Sequence, residues 1–508
     1  MSEPEKPRFS LGRNIIANYV GRAWPNVLGI LLIPLYLRFL GMESYGLVGF
    51  SATLAGVLGL LDLGIGFTLN RELARLSTAD ASAVTQRDLV RTLETLYWGI
   101  AVLGGALVVC LAPVIASDWV KAQKLPPSTV IAALRLMGVA VALQFPFSLY
   151  QGALMGLQRQ VLVNVILVLT GTLRGVGAVV VLWLVSPTIQ AFLVWQVIAG
   201  LVGSAALLIA LWRCLPSSAA PARFRLDLLR GIWRFAASMS ANALIGVVLT
   251  QLDKVILSRM LTLERFGYYT LAATVASAIW SLIVPFNSAV FPRLVQLHEH
   301  RSEPELRVLF HRTSQLLSAM LLPVCALLIV FSKDILLLWT RNPEVVENCH
   351  LILSCLVLGT MLNGIVSVPC SAAAAFGWPQ LITYANLIQA IAIVPLMVSL
   401  VLWLGGLGAA LAWMVLNCGY VAFLIPCFFR RYLTAQEWEW SLRDQGIPIL
   451  VSFSICLTAS WLAPASLPPV ARFGYLAVTF LLTLSATAWS LGHVRDLVTS
   501  TWRKHLQR

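Results

Sequence analysis

The sequence predicts an all-α polytopic membrane protein of about fourteen transmembrane helices, in two six-helix lobes plus a C-terminal helix pair. Three observations lead there. Apolar runs of some twenty residues recur along all 508 residues, each long enough to cross a hydrocarbon core of about 30 Å as a helix. Charged residues make up only 11% of the chain and the mean hydropathy is +0.83, whereas a soluble domain carries about 25% charged residues. Finally, a short polar frame in the first half returns in the second at a constant offset of 221 residues.

Taken in order, the apolar runs place helices at 14–37, 46–70, 95–116, 129–154, 161–185 and 189–212. A second series follows at 232–257, 267–292, 313–333, 350–376, 381–404 and 408–429, and a last pair at 447–464 and 472–493. This divides the chain into an N-lobe (1–212), a linker (213–231), a C-lobe (232–429) and a helix pair with a basic tail (430–508). The polar start Met1–Ser10 and the length of the first run argue against a cleavable signal peptide. The nine cysteines show no metal or disulfide spacing, and their expected role is that of small buried hydrophobes.

The net charge of +14 raises nucleic acid as a partner, and the placement of the charges removes it. With the N-terminus inside, an even helix count returns the C-terminus inside. Of the 36 Lys and Arg, 24 then fall on inner segments, eight on outer ones and four inside helices. A threefold bias is the signature of a cytoplasmic face, so the positive charge is topological. The longest connections, Arg71–Glu94, Arg213–Gly231 and Arg293–Arg312, are all on that face. In the second, Pro216–Pro221 reads as linker. The segment Arg223–Arg230 reads either as a helix on the anionic inner leaflet or as a plain stop-transfer flank.

The offset of 221 aligns Arg38 with Arg259, Leu40 with Leu261, Glu43 with Glu264 and Gly46 with Gly267. Apolar matches between membrane helices are cheap, but an ungapped Arg-x-Leu-x-x-Glu-x-x-Gly frame is not. A six-helix repeat keeps both halves in one orientation, which implies a pseudo-twofold axis along the membrane normal and a central site.

The charges inside helices do not repeat. Arg22 meets Ala243, Asp62 meets Ile283, and Asp253 and Lys254 meet Leu32 and Ile33. Structural devices of a duplicated fold would appear twice, so these charges read as site chemistry. A charge at the bilayer centre costs about 2.5–3.5 kcal/mol even on insertion scales, and such groups face protein or water. Arg22 and Arg174 lie deepest. Arg135 and Lys254 lie nearer the outer ends, where snorkelling is the competing reading. Asp62 is either a partner of Arg22 or a coupling carboxylate, and Asp253 is the second coupling candidate. Four cations against two acids favour an anionic ligand, and Asn18, Gln144 and Gln251 add hydrogen-bonding capacity for a sugar. Prolines such as Pro25, Pro146 and Pro285 permit bends.

Pro34-Leu-Tyr-Leu-Arg-Phe-Leu-Gly41, Glu43-Ser-Tyr-Gly46, Leu61-Asp62-Leu-Gly64 and Arg71-Glu-Leu-Ala74 resemble the opening of polysaccharide-biosynthesis flippases. These are the Wzx-type members of the MATE-like multidrug/oligosaccharidyl-lipid/polysaccharide superfamily. The sharp resemblance covers about the first 75 residues, with an echo at 254–297. It implies two six-helix lobes in a V, opening alternately to either side of the bacterial inner membrane to move an undecaprenyl-pyrophosphate-linked oligosaccharide outward. It further implies a monomeric unit without cofactors, working alongside the polymerase and glycosyltransferases of the same pathway. Related lipid II flippases resemble this chain in an added helix pair and in a functional arginine on helix 1, where Arg22 stands by helix and depth alone.

Three other functions compete. A multidrug antiporter of the same fold binds cations through carboxylates, and a lipid II-type flippase shares the cationic lumen. A membrane glycosyltransferase or polymerase needs a large outer loop with catalytic groups. The outer connections here, such as Arg38–Tyr45 and Ser117–Ser128, are short and hold no paired carboxylates. His298, His300 and His311 fall on an inner connection and read as solvated. No nucleophile, phosphate loop or metal spacing is found, so no catalysis is expected.

Overall fold

A computed structural model describes residues 11–62, 64–78, 83–230, 250–300, 302–464 and 467–496, with the backbone alone for 11–20, 22, 23, 77 and 78. Among these residues twelve helical stretches are long and apolar enough to cross a membrane. The predicted helix 232–257 lies mostly outside the described residues, and the first stretch, Trp24–Asp62, carries two predicted runs. Those two runs form α1 (Leu11–Leu58), bent at Gly41 where the backbone adopts φ 75° and ψ 170°. The nine-residue turn expected over Arg38–Gly46 therefore contracts to one residue, and glycine is the residue that tolerates this conformation.

The second predicted run is not continuous to residue 70. It breaks at a 3₁₀ turn, Gly59–Asp62, before α2 (Ile65–Thr78), with Gly64 at φ 67°. The fourth breaks at Pro146 into α4 (Pro127–Gln144) and α5 (Phe147–Gly156), because proline withholds a backbone donor. Next come α3 (Ala83–Val114), α6 (Gln160–Leu184), α7 (Ile189–Cys214) and α8, described over 250–260. The chain divides into two compact units, Met1–Gly267 and Tyr268–Arg508.

In the first unit α1 lies along α6, α3 along α4, α2 along α5, and α7 against α4 and α6. Lipid is as apolar as leucine, so these helices are held by shape fit and polar contacts. Leu73, Leu93, Tyr97, Tyr150, Leu154 and Leu211 form the centre of its core. Outward-facing apolar side chains meet lipid, with Leu103 74% and Trp183 72% exposed. Trp183, Trp403 and Trp461 all end helices predicted to run from inside to outside, as an interfacial aromatic girdle requires.

The second unit comprises α9 (Leu263–Ala278, which starts in the first), α10 (Trp280–Glu299), α11 (Glu303–Val330), α12 (Ser332–Thr340), α13 (Pro343–Ala375), α14 (Gln380–Leu404) and α15 (Gly406–Arg431). It ends in the short α16 (Glu437–Glu439), a wide turn at Trp440–Gly446, and the pair α17 (Ile447–Leu462) and α18 (Pro469–Ser490). Both helices of the pair pack on α11. Ser452 and Thr487 hydroxyls meet across the pair at 2.8 Å.

Of the three histidines expected to be solvated on an inner connection, His311 is buried and His298 half-buried. His311 sits on α11, buried, with Nδ1 2.5 Å from Asp444 Oδ2 and Nε2 2.8 Å from Gln436 Oε1. Gln315 donates to Asp444 Oδ1 at 2.8 Å, Ser318 donates to Gln445 at 2.8 Å, and the Trp440 indole donates to Ser314 at 2.9 Å. His298 stacks on Phe376 with ring centroids 4.7 Å apart, while His300 is exposed. For His311 the physical reason is that α11 starts at Glu303, nearly three turns before the predicted run at 313, and carries the imidazole into contact with the segment leading to the C-terminal pair. Asp444→Asn is expected to keep one acceptor but lose the charge-assisted bond to His311. A cost of about 1–2 kcal/mol should appear as a lower melting temperature and faster proteolysis between α16 and α17. Of the cysteines, Cys325, Cys349 and Cys456 are buried as expected, whereas Cys110 and Cys418 are exposed on their helices.

Candidate functional site

Within the first unit a cavity of about 510 Å³ opens between α1, α4, α6 and α7. That volume suits a small-molecule or head-group site. Its lining is mostly apolar, with glycines and alanines from α1 and α7, and with Tyr36, Gln144, Thr170, Arg174 and Gln196 as its main polar groups. Among the described residues Arg174 is the one charged side chain in that lining.

Arg174 stands fourteen residues into the 25-residue α6, about 21 Å along the axis and so near mid-depth. Its Nε donates to Gln196 Oε1 on α7. Beside it the Tyr36 hydroxyl donates to the Gly175 carbonyl at 3.0 Å, and the Tyr36 ring meets Phe192 edge-on at 5.3 Å. A Cβ on Gly175 would come within 2.9 Å of Leu32, so the glycine next to the arginine lets α1 approach α6 closely enough for Tyr36 to reach over. Arg174 is nonetheless an exposed residue that lines the cavity. An arginine held at Nε presents a planar fork that matches phosphate or carboxylate oxygens.

The other residues singled out from the sequence are distributed as follows. Gln144 lines the same cavity, at the end of α4. Arg135 is exposed on α4 and stands outside the lining. Lys254 folds back on α8, donating to the Thr250 carbonyl at 2.8 Å and lying 3.7 Å from Asp253 Oδ1. Gln251 packs against Gly56 of α1. Asp62 lies at the helix break, where it accepts from the Tyr97 hydroxyl and from the Gly66 N–H at 3.3 Å. It thereby satisfies an orphan amide at the start of α2. Arg22 and Asn18 lie on α1, but their side chains are outside the described residues.

Sequence reasoning missed Tyr36 and Gln196. Gln196 carried a usable signal: a lone amide in the apolar run 189–212 must find a partner inside the protein. Tyr36 carried none, since a tyrosine near the end of a span is usually interfacial.

The repeated frame forms a second cluster. Gly46 lies against the backbone of Leu263, where a Cβ would meet its carbonyl oxygen at 2.2 Å. Gly267 lies against Met42, where a Cβ would meet that carbonyl at 2.8 Å. Residues 42 and 46 are the offset equivalents of 263 and 267, so the two copies of the frame pack on each other reciprocally. Glu43 accepts from the backbone N–H of Gln123 and of Lys124, and the Lys124 ammonium reaches Glu264 at 2.9 Å. The glutamates are shared because both clamp the segment 119–124, which also pairs with the second copy through the Lys121–Thr262 bridge.

Comparison with known proteins bears on what this arrangement belongs to. The family model described as polysaccharide biosynthesis protein matches residues 11–298, more than half of the chain. The chain belongs to that family. The MatE family model matches residues 237–399. A Shigella flexneri protein named "Putative O-antigen transporter" is 22% identical over 408 residues, covering 80% of this chain and 95% of its own. The lipid II flippase MurJ in an inward closed conformation superposes with a TM-score of 0.69 at 15% identity, over 96% of this chain and 99% of that one. An inward-facing multidrug resistance MATE family transporter gives 0.63 at 15%, over 80% and 97%. These likenesses establish the MATE-like all-α fold. This member of the polysaccharide biosynthesis family is a multi-pass membrane protein, and the proteins it is similar to are transporters and flippases.

Proposed function

We propose that the protein moves an undecaprenyl-pyrophosphate-linked oligosaccharide, the repeat unit of an O-antigen, capsule or exopolysaccharide, from the inner to the outer leaflet of the bacterial cytoplasmic membrane. The observation that carries this reading is the cavity whose charged lining group is Arg174, steadied by Gln196 and flanked by Tyr36 and Gln144. A cation set among hydrogen-bonding groups suits a diphosphate joined to a sugar. The relative named for O-antigen transport, aligned over most of both chains, supports the same substrate class. The polyprenyl tail stays in lipid while the head group enters the cavity, and the two lobes, joined by the linker 213–231, alternate access with both chain termini cytoplasmic. Arg22 is the second candidate for the diphosphate.

Reconstitution tests this directly. Proteoliposomes loaded with the lipid-linked oligosaccharide on one leaflet should deliver it to the other, where a lectin or glycosidase reads it. No transfer above protein-free vesicles would refute the proposal. A multidrug antiporter makes the opposite demand, a carboxylate facing an organic cation, whereas Asp62 is occupied by Tyr97 and Gly66. Cells expressing the protein should therefore export cationic dyes no faster than empty-vector cells. Strong export that is lost in Asp62→Asn would turn the assignment to an antiporter.

A further inference from the structure

The connection after α7 is not a loose tether. The Arg223 N–H donates to Asp88 Oδ1 at 2.8 Å, and the Arg225 N–H donates to the Thr92 hydroxyl at 2.9 Å, both on α3. Arg87 closes the near end through the Pro216 carbonyl at 3.3 Å, and Leu228 and Leu229 pack on the core of the first unit. One side of the segment 216–229 is thus fixed to protein by backbone donors and leucines.

Its other side faces out and has an unusual composition. Phe224 is 51% and Leu226 50% exposed, interleaved with exposed Arg223 and Arg225 and followed by exposed Arg230. Arg213, at the end of α7, is exposed as well. Asp227 is the one acid among these residues, and its 2.6 Å contact with Arg225 holds its carboxyl below the usual carboxylate range. A soluble loop has no reason to hold a phenylalanine and a leucine in water beside a cluster of arginines. An interfacial strap does: apolar side chains enter the acyl boundary while guanidinium groups meet phosphates, the pattern that recognises an anionic leaflet.

We infer that the segment Arg223–Arg230, strapped to α3, is a binding surface for anionic phospholipid at the cytoplasmic edge of the first unit. The inference rests on the topological reading above for its sidedness, and its chemistry is that of a phosphodiester head group beside an acyl chain. Because Asp88 and Thr92 bond the backbone of the strap, side-chain replacement leaves the fixation intact.

The full-length protein purified in detergent with equal amounts of phosphatidylglycerol and phosphatidylcholine supplies the test, with retained lipid counted by native mass spectrometry. Detergent micelles have no sidedness, so the result reads the strap independently of the orientation and of any transport activity. Wild type should retain phosphatidylglycerol over phosphatidylcholine. R223Q/R230Q should lower that ratio by about thirtyfold, R223K/R230K should restore most of it, and F224S/L226S should lower retention of both lipids. R341Q, exposed elsewhere, should leave the ratio unchanged. A wild-type ratio in R223Q/R230Q, or an equal fall in R341Q, would overturn the proposal. So would unchanged retention of both lipids in F224S/L226S.

Discussion

Replacing Arg174 by alanine is expected to lower transport by between tenfold and a hundredfold. Among the described residues the guanidinium is the charged group in the cavity lining, and its Nε is held by Gln196. A charge-assisted hydrogen bond is worth about 1.5–3 kcal/mol, which spans that range of rates if the contact is made in the rate-limiting complex. Arg174→Lys keeps the charge but loses the fork, and should fall between alanine and wild type. Gln196→Ala keeps the charge but frees its orientation, and should cost a few-fold. The measurement is complementation of a flippase-null strain at low expression, with protein amount and melting temperature checked for each variant. An Arg174→Ala protein that complements as well as wild type would remove this residue from the mechanism.

How much of this was legible beforehand depends on the range of the interactions. Helix positions follow from runs of apolar residues, a local property, and most of the spans lie where hydropathy puts them. Arg174 was legible because an isolated guanidinium in an apolar run is costly wherever the helix packs. Its partners were not. Tyr36, Arg174 and Gln196 meet only because α1, α6 and α7 come together, and no spacing along the chain encodes that contact. His311 was misjudged for a different reason. Hydropathy reports where a helix leaves lipid, but backbone hydrogen bonding continues past the bilayer surface, so α11 runs on to Glu303. Asp62 illustrates the converse: its run is apolar throughout, yet Gly59 and Gly64 flank a break and the carboxylate is used at the start of α2.

The repeated frame is where sequence and structure agree most closely, and it gives the other large expected effect. Gly46→Val should destabilise the protein by about 3 kcal/mol, at the upper end of overpacking costs, because its Cβ would press on a backbone carbonyl that cannot rotate away. Gly267→Ala meets Met42 at 2.8 Å rather than 2.2 Å and should cost less. Thermal unfolding in detergent measures both. The mechanism makes a finer demand than stability alone. If valine at 46 pushes the second copy of the frame away, Lys124 loses its reach to Glu264, now 2.9 Å. A double-mutant cycle on Lys124→Ala and Glu264→Gln should then give a coupling of about 0.2–1 kcal/mol in the parent, as for exposed pairs, and none in the Gly46→Val background. A Gly46→Val protein with unchanged melting temperature and intact coupling would mean that the two copies do not press on each other. Loss of stability with the coupling preserved would mean that the clash is absorbed within α1, by its bend at Gly41, and the frame would then be a local turn motif used twice rather than a reciprocal contact.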